Sequence, residues 1–173
     1  LLKQSLIFST EALNEHEQML RMRGRPKVIL ARTYEEAMTL YNKYKNEILG
    51  VITDVSFSRD GEKDKHAGIR LAKEIKEIDP YVPIIMESSE TENAVYAKEM
   101  GISFLDKNSK KFPVDLGRII TDNFGFGDFV IRNPETGEVV MRITDLKEFQ
   151  DNLFKIPDES LLYHASRNDI SRW

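Results

Sequence analysis

The chain has 173 residues, of which 40% are hydrophobic and 31% charged, a composition typical of a globular domain and not of a disordered segment. Its 29 acidic and 25 basic residues give a net charge of −4, which argues against nucleic acid or an anionic membrane surface as an obligatory partner. No apolar run approaches the roughly 18 residues needed to span a bilayer. The absence of cysteine excludes disulfides and thiolate metal sites, and it favours a cytoplasmic location.

The first part of the chain predicts a helix, a strand and a second helix. Residues 1–23 carry apolar side chains at near-helical spacing and end at a Gly-Arg-Pro stop, so we expect an amphipathic helix there. Residues 27–31 are predicted to form a strand. Thr33 and Glu36 form a capping box that opens the next helix.

Three short apolar runs follow, each too short and too continuously apolar for a surface helix; they cover residues 48–54, 82–88 and 102–107. After the first run we expect a polar loop over residues 56–66 and then a helix. After the second run, Ser89 and Glu92 form a capping box for the next helix, and a last helix follows the third run. Strand and helix alternate, so residues 1–123 are predicted to form an α/β domain with a doubly wound parallel sheet.

The pattern changes at Phe124. Residues 124–173 predict a β-hairpin and two helices, a small α+β appendage or the start of a further domain, and we expect it to pack on the first domain or to continue into something larger. His164 and Trp173 are predicted to make packing contacts there, with a docking patch as the alternative.

Each of the three apolar runs ends on a residue suited to phosphoryl chemistry: Asp54, Ser88 and Lys107. Because the carboxyl ends of parallel strands meet at one edge of a sheet, these side chains should converge. A carboxylate can accept a phosphoryl group, a hydroxyl can bond its oxygens, and an ammonium can neutralise its charge. Asp54 could instead cap a loop, Lys107 could be an ordinary surface lysine, and Ser88 could be a helix cap; because Ser89 and Glu92 already form a cap, we favour a functional Ser88.

Residues 27–123 resemble the receiver domain of bacterial two-component response regulators, the CheY-like members of the flavodoxin-like fold. The resemblance implies that a histidine kinase or phosphotransfer protein phosphorylates Asp54 and that Ser88 and Lys107 act as catalytic partners. It also implies an aromatic switch at Phe104, although a core role is the stronger interpretation of that residue, and it matches Gly68 to a usual glycine.

The same resemblance implies Mg²⁺, bound by Asp54, the backbone carbonyl of Ser56 and an acidic pair after the family's first strand. This chain begins inside the first helix of that pattern, so we expect an upstream strand, ending in two acidic residues, to complete both the sheet and the metal site. The chain departs from the family in lacking Met-Pro after the aspartate, in the longer loop before the glycine, and in having Asn108 where the family has proline.

Several segments also resemble the N-terminal regulatory portion of pyruvate phosphate dikinase and phosphoenolpyruvate synthase-like proteins; they lie around residues 20–27, 106–109 and 163–173. This resemblance implies a downstream catalytic or output domain, so the parent protein would be a phosphotransferase while this segment is not itself an enzyme.

The leading hypothesis is therefore a phosphoacceptor receiver of a phosphorelay. The main alternative is a degenerate receiver that serves as a protein-docking or dimerisation module, possible as a homodimer, without phosphorylation. A phosphatase-like hydrolase is a remote alternative, because no second carboxylate lies two residues from Asp54 and no Gly-rich phosphate loop is present.

Overall fold

The computed structural model describes residues 27–173, and the chain divides into two compact units, Leu1–Ala31 and Arg32–Trp173. The helix predicted over residues 1–23 lies outside the described residues. The strand predicted over residues 27–31 is wrong: these residues have no regular secondary structure, and Val28 is 93% exposed. An apolar run becomes a strand only where neighbouring strands pair with its backbone, which periodicity alone does not reveal.

The second unit alternates strands and helices over its first two thirds. Its strands are β1 (Val51–Asp54), β2 (Phe57–Arg59), β3 (Glu62–Asp64), β4 (Ile84–Ser88), β5 (Ser103–Asp106), β6 (Phe129–Arg132) and β7 (Val139–Ile143). Its α-helices are α1 (Tyr34–Tyr44), α2 (Ala67–Ile78), α3 (Ala94–Glu99), α4 (Phe112–Asn123), α5 (Leu146–Asn152), α6 (Asp158–Ser166) and α7 (Asp169–Arg172). Two short 3₁₀ turns, Thr91–Asn93 and Leu153–Lys155, complete the described elements. No helix in this part of the chain is both long enough and apolar enough to cross a bilayer.

A parallel sheet in the order β1-β4-β5 forms the centre of the unit. In its register Asp54 lies opposite Glu87, and Glu87 lies opposite Leu105. Among the described residues β1 forms one edge of this sheet, so the strand expected upstream of Leu1 stays a prediction.

Helices cover both faces of the sheet. On one face Ile84 and Met86 pack with buried side chains of α1, α2 and α3. On the other, Ile85 and Leu105 pack with Phe124 and the apolar face of α4. Successive residues of β4 thus point to opposite cores, which explains its continuous apolar run. The predicted α/β fold with a doubly wound parallel sheet is confirmed.

The capping box predicted for α1 is present in part. The Thr33 hydroxyl accepts from the backbone N–H of Glu36 at 3.2 Å, which satisfies an amide with no partner within the helix. The Glu36 carboxylate accepts from the backbone N–H of Arg32 at 2.7 Å, one residue before the N-cap Thr33, and not from Thr33 itself.

The polar loop predicted over residues 56–66 contains an antiparallel hairpin, β2–β3, so that prediction is wrong in part. Asp60 and Gly61 form its two-residue turn with φ of 52° and 80°, the conformation that Asp-Gly favours. The hairpin is attached to α1, because the N–H of Asp60 donates to Glu35 at 2.8 Å and Arg59 lies 4.9 Å from the Tyr34 ring. Apart from Phe57, which packs against the core cluster formed with α1, α2 and α3, the residues of its strands are polar, so they lack the alternation by which strands are predicted.

Residues 124–173 form the predicted hairpin, β6–β7, and the helices that follow it. The second predicted helix is interrupted at Asn168, whose φ of 58° separates α6 from α7. Trp173 stacks on Phe129 at 5.3 Å, and His164 is 5% exposed and bonds the backbone N–H of Arg132 at 3.0 Å. Both residues therefore make packing contacts, as expected. The boundary at residues 123 and 124 stays a prediction.

Candidate functional site

Two of the three predicted site residues form an ion pair at the carboxyl edge of the parallel sheet. Asp54 ends β1, and Lys107 directly follows β5. The Lys107 ammonium bonds the Asp54 carboxylate across the intervening strand β4. The Asp54 side chain is 44% exposed, so a reagent can approach the carboxylate from solvent.

The backbone around Asp54 is held closely by its neighbours. The Thr53 hydroxyl donates to the Asp54 carbonyl oxygen at 2.9 Å, and the N–H of Ser56 donates to the Asp54 carboxylate at 3.4 Å. The N–H of Gly68, at the start of α2, donates to the carbonyl of Val55 at 3.0 Å. These contacts set the direction in which the carboxylate projects from the end of β1.

Ser88 ends β4 at the same edge, but its hydroxyl is hydrogen-bonded to residues of the turn that follows β4. Its hydroxyl accepts from the N–H of Glu90 at 3.0 Å and from the side-chain amide of Asn93 at 3.0 Å. The capping box predicted for Ser89 and Glu92 is wrong: the 3₁₀ turn has Glu90 as its N-cap, with no side-chain cap bond. The Ser88 side chain therefore makes the hydrogen bonds to this turn that were predicted for Ser89.

The double acceptance by Ser88 has a chemical consequence. A hydroxyl offers two acceptor lone pairs and one proton, and here the Glu90 and Asn93 donors engage both lone pairs. The remaining function of the Ser88 hydroxyl is therefore donation, which is what an incoming anionic oxygen requires.

Two hydrogen bonds connect the turn after β5 to the turn after β4. The N–H of Lys107 donates to the carbonyl of Ser88 at 2.9 Å, and the Asn108 side chain donates to the carbonyl of Ser89 at 2.9 Å. Asn108 stands where the resembled family has proline, and a proline would lack this side-chain bond. The two turns that carry Ser88 and Lys107 are thus linked directly.

Glu87 is a site residue that the sequence analysis missed. It lies opposite Asp54 in the register, and its carboxylate is 3.9 Å from the Lys107 ammonium. Its side chain is 24% exposed. The signal available in the sequence was an acidic residue just before the end of an otherwise apolar strand run.

Phe104 is partly buried and packs against the core cluster on the α1, α2 and α3 face of the sheet. It lies opposite Met86 in the register. This arrangement is the core role favoured above, and the switch role stays a prediction.

The described residues do not make a complete magnesium site. Mg²⁺ prefers oxygen ligands in octahedral geometry, and Asp54 with the Ser56 carbonyl would supply two of them. Residues 27–173 contain no group of three or more His, Asp or Glu side chains placed to hold a metal ion. The present donor set does not fit the ion, and the upstream acidic pair stays a prediction.

Comparisons with known proteins add one structural likeness. No family model matches the chain, and no curated protein matches it. The chain is similar to a solved structure described as a response regulator receiver domain protein from Clostridium thermocellum, with 23% identity and a TM-score of 0.49. The match covers 64% of this chain and 84% of that one. At this level of likeness the functional argument comes from the site residues themselves.

Proposed function

We propose that this chain is a phosphoacceptor receiver domain of a phosphorelay, and that Asp54 accepts the phosphoryl group. The observation that carries the proposal is the ion pair between Asp54 and Lys107 across β4, at an edge where Ser88 also ends a strand. An exposed carboxylate with a lysine already bonded to it can take a phosphoryl group and have its new charge neutralised at once.

The donor is proposed to be a phosphohistidine on a histidine kinase or phosphotransfer protein. A carboxylate oxygen of Asp54 forms a bond to phosphorus while the bond from phosphorus to the donor nitrogen breaks. The electron pair of that bond stays on the imidazole, which leaves as a neutral ring after taking up a proton from solvent. The product is an acyl phosphate on Asp54.

Lys107 and Ser88 have separate roles in this proposal. The Lys107 ammonium stabilises negative charge that accumulates on the phosphoryl oxygens. The Ser88 hydroxyl, whose lone pairs are engaged by Glu90 and Asn93, donates a hydrogen bond to one of those oxygens.

The structural effect of phosphorylation would be transmitted to the protein surface through the turn after β4. A phosphoryl group adds roughly −1.5 to −2 charge, and a Ser88 hydroxyl drawn to it would pull on Asn93, the residue directly before α3. The exposed surface of the 3₁₀ turn and α3 is therefore the proposed output face, read by a linked catalytic or output domain in the cytoplasm. We place a pyruvate phosphate dikinase-like phosphotransferase among the candidate outputs.

A docking module without phosphorylation is the second candidate. The observation that favours it is the incomplete set of metal ligands among residues 27–173. On this alternative the Asp54–Lys107 ion pair is a static link between β1 and β5, and the chain binds its partner in one state only.

Labelling separates the two candidates. The full-length protein, in buffer containing MgCl₂, is incubated with acetyl phosphate or a phosphohistidine donor, and intact mass is measured for wild type, Asp54→Asn and Asp122→Asn. Asp122 is an exposed aspartate on α4 and serves as the matched control. We expect one added phosphoryl group on wild type and Asp122→Asn and none on Asp54→Asn, because an amide cannot form the acyl phosphate. Equal labelling of all three proteins, or of none, would reject the receiver proposal.

A further inference from the structure

Glu87 lies between the two residues that the proposed transfer uses. Asp54 is on β1, Lys107 follows β5, and β4 separates these strands, so the lysine side chain crosses β4 at the level of Glu87. Its ammonium bonds Asp54 and lies 3.9 Å from the nearer Glu87 oxygen. One cation therefore contacts two carboxylates.

Without Lys107, the strand register would place the negative charges of Asp54 and Glu87 side by side. Directly paired residues on neighbouring strands project from the same face of a sheet, and like charges in that position repel. Asp54 and Glu87 are such a pair. With Lys107 included, the three side chains carry a net charge of −1 before any phosphoryl group arrives.

We propose that Glu87 is an electrostatic brake on phosphoryl transfer to Asp54. This inference rests on the proposed function and specifies how the same site is regulated. Glu87 attracts the Lys107 ammonium that the phosphoryl oxygens need, and its own charge repels those oxygens. The phosphoryl group that Asp54 accepts adds negative charge beside Glu87, so Glu87 opposes the phosphorylated state more strongly than the free carboxylate.

The first test compares the initial rate of labelling by acetyl phosphate in wild type, Glu87→Gln and Glu77→Gln, each as the full-length protein. Gln keeps the shape of the side chain and removes the charge, and Glu77 is an exposed glutamate near the C-terminal end of α2. We expect about a fivefold faster rate for Glu87→Gln, with the difference shrinking as salt is raised, and no change for Glu77→Gln. An unchanged rate overturns the proposal. A slower rate also overturns it, because it would make Glu87 an anchor for Lys107.

A second test does not depend on phosphorylation. In an Asp54→Asn background, binding of inorganic phosphate is followed by the backbone amide NMR signals of Ser88 and Lys107, with and without Glu87→Gln. We expect Glu87→Gln to lower the phosphate dissociation constant about fivefold and Glu77→Gln to leave it unchanged. Equal affinities, including no detectable binding in either protein, overturn the brake. If wild type is never labelled but this difference appears, the receiver function fails while the charge effect of Glu87 stands.

Discussion

Arg172, in the last helix, bonds the carboxylate of Asp79 at 2.5 Å, although 93 residues separate them in sequence. The same guanidinium donates to the carbonyl of Tyr81 at 3.3 Å and to the carbonyl of Arg167 at 2.8 Å. Asp79 and Tyr81 belong to the loop that precedes β4. The last helix is thus hydrogen-bonded to the loop that leads into β4, the central strand of the parallel sheet.

We expect Arg172→Ala to lower the free energy of unfolding by about 1–3 kcal/mol, since it leaves the partly buried Asp79 carboxylate without its cation. Asp79→Asn should cost less, and in a double-mutant cycle the two effects should not add. Urea denaturation of the four proteins measures the coupling. Additive losses would mean that the contact contributes nothing beyond the separate side chains.

Gly68 should tolerate no side chain. A Cβ built there would lie 1.9 Å from the carbonyl oxygen of Asp54, which is backbone and has no room to move independently. We expect Gly68→Ala to destabilise the protein by roughly 2 kcal/mol or more through displacement of α2 from the end of β1. The matched control is Gly117→Ala in α4, where a Cβ meets nothing within 4 Å. That change should stabilise by about 0.5–1 kcal/mol, because alanine favours a helix interior. Thermal denaturation of both variants checks the opposite signs.

Ser88→Ala should destabilise the turn after β4. It leaves the N–H of Glu90 without its side-chain acceptor and the buried amide of Asn93 with only its 3.4 Å bond to the Glu90 carboxylate, at a cost of about 1–3 kcal/mol. Ser89→Ala is the control, because the Ser89 side chain is exposed and its carbonyl bond to Asn108 does not need the hydroxyl. Equal stability losses in the two variants, measured by urea denaturation, would contradict the assignment of Ser88 as the acceptor.

Lys107→Met should slow labelling of Asp54 by roughly 10- to 100-fold, because it removes the cation that meets the developing phosphoryl charge. Lys110→Met, an exposed lysine shortly after it, should label at the wild-type rate. Circular dichroism on both proteins shows whether the fold is retained. A normal labelling rate in Lys107→Met would remove the lysine from the transfer step.

The phenol of Tyr34 should lose its proton at a higher pH than an ordinary tyrosine. Burial, together with its hydrogen bond to the negatively charged Glu74, raises the pKa of Tyr34 from 10.0 to about 12. Between these values the unfolded chain loses the proton and the folded chain keeps it, so the stability that Tyr34 contributes below pH 10 is lost as pH rises towards 12. Burial also raises the pKa of Tyr41. Ultraviolet absorbance titration of the phenols should therefore show a late component that loses the contribution of one phenol in Tyr34→Phe. A late component unaltered by Tyr34→Phe would contradict this.

The features that sequence alone determined are those that depend on a few neighbouring residues. The apolar runs predicted β1, β4 and β5, because a strand buried on both faces needs continuous apolar residues. The cap at Thr33 was predictable because its partner lies three residues away. The order of Asp54, Ser88 and Lys107 after these runs was enough to predict that the three residues lie at one sheet edge, where Asp54 and Lys107 form an ion pair.

Only the tertiary structure decided which groups touch. The register of β1 on β4 brings Glu87 beside Asp54, and a shift of one residue would have turned that side chain to the other face. The hydroxyl of Ser88 accepts hydrogen bonds from Glu90 and Asn93, so the Ser88 side chain makes the bonds to the turn after β4, although the sequence spacing of Ser89 and Glu92 fits a capping box. The contact of Arg172 with Asp79 depends on how the last helix packs. Local patterns report the preferences of a short backbone segment, whereas register and long-range contacts follow from the free energy of the whole packed unit.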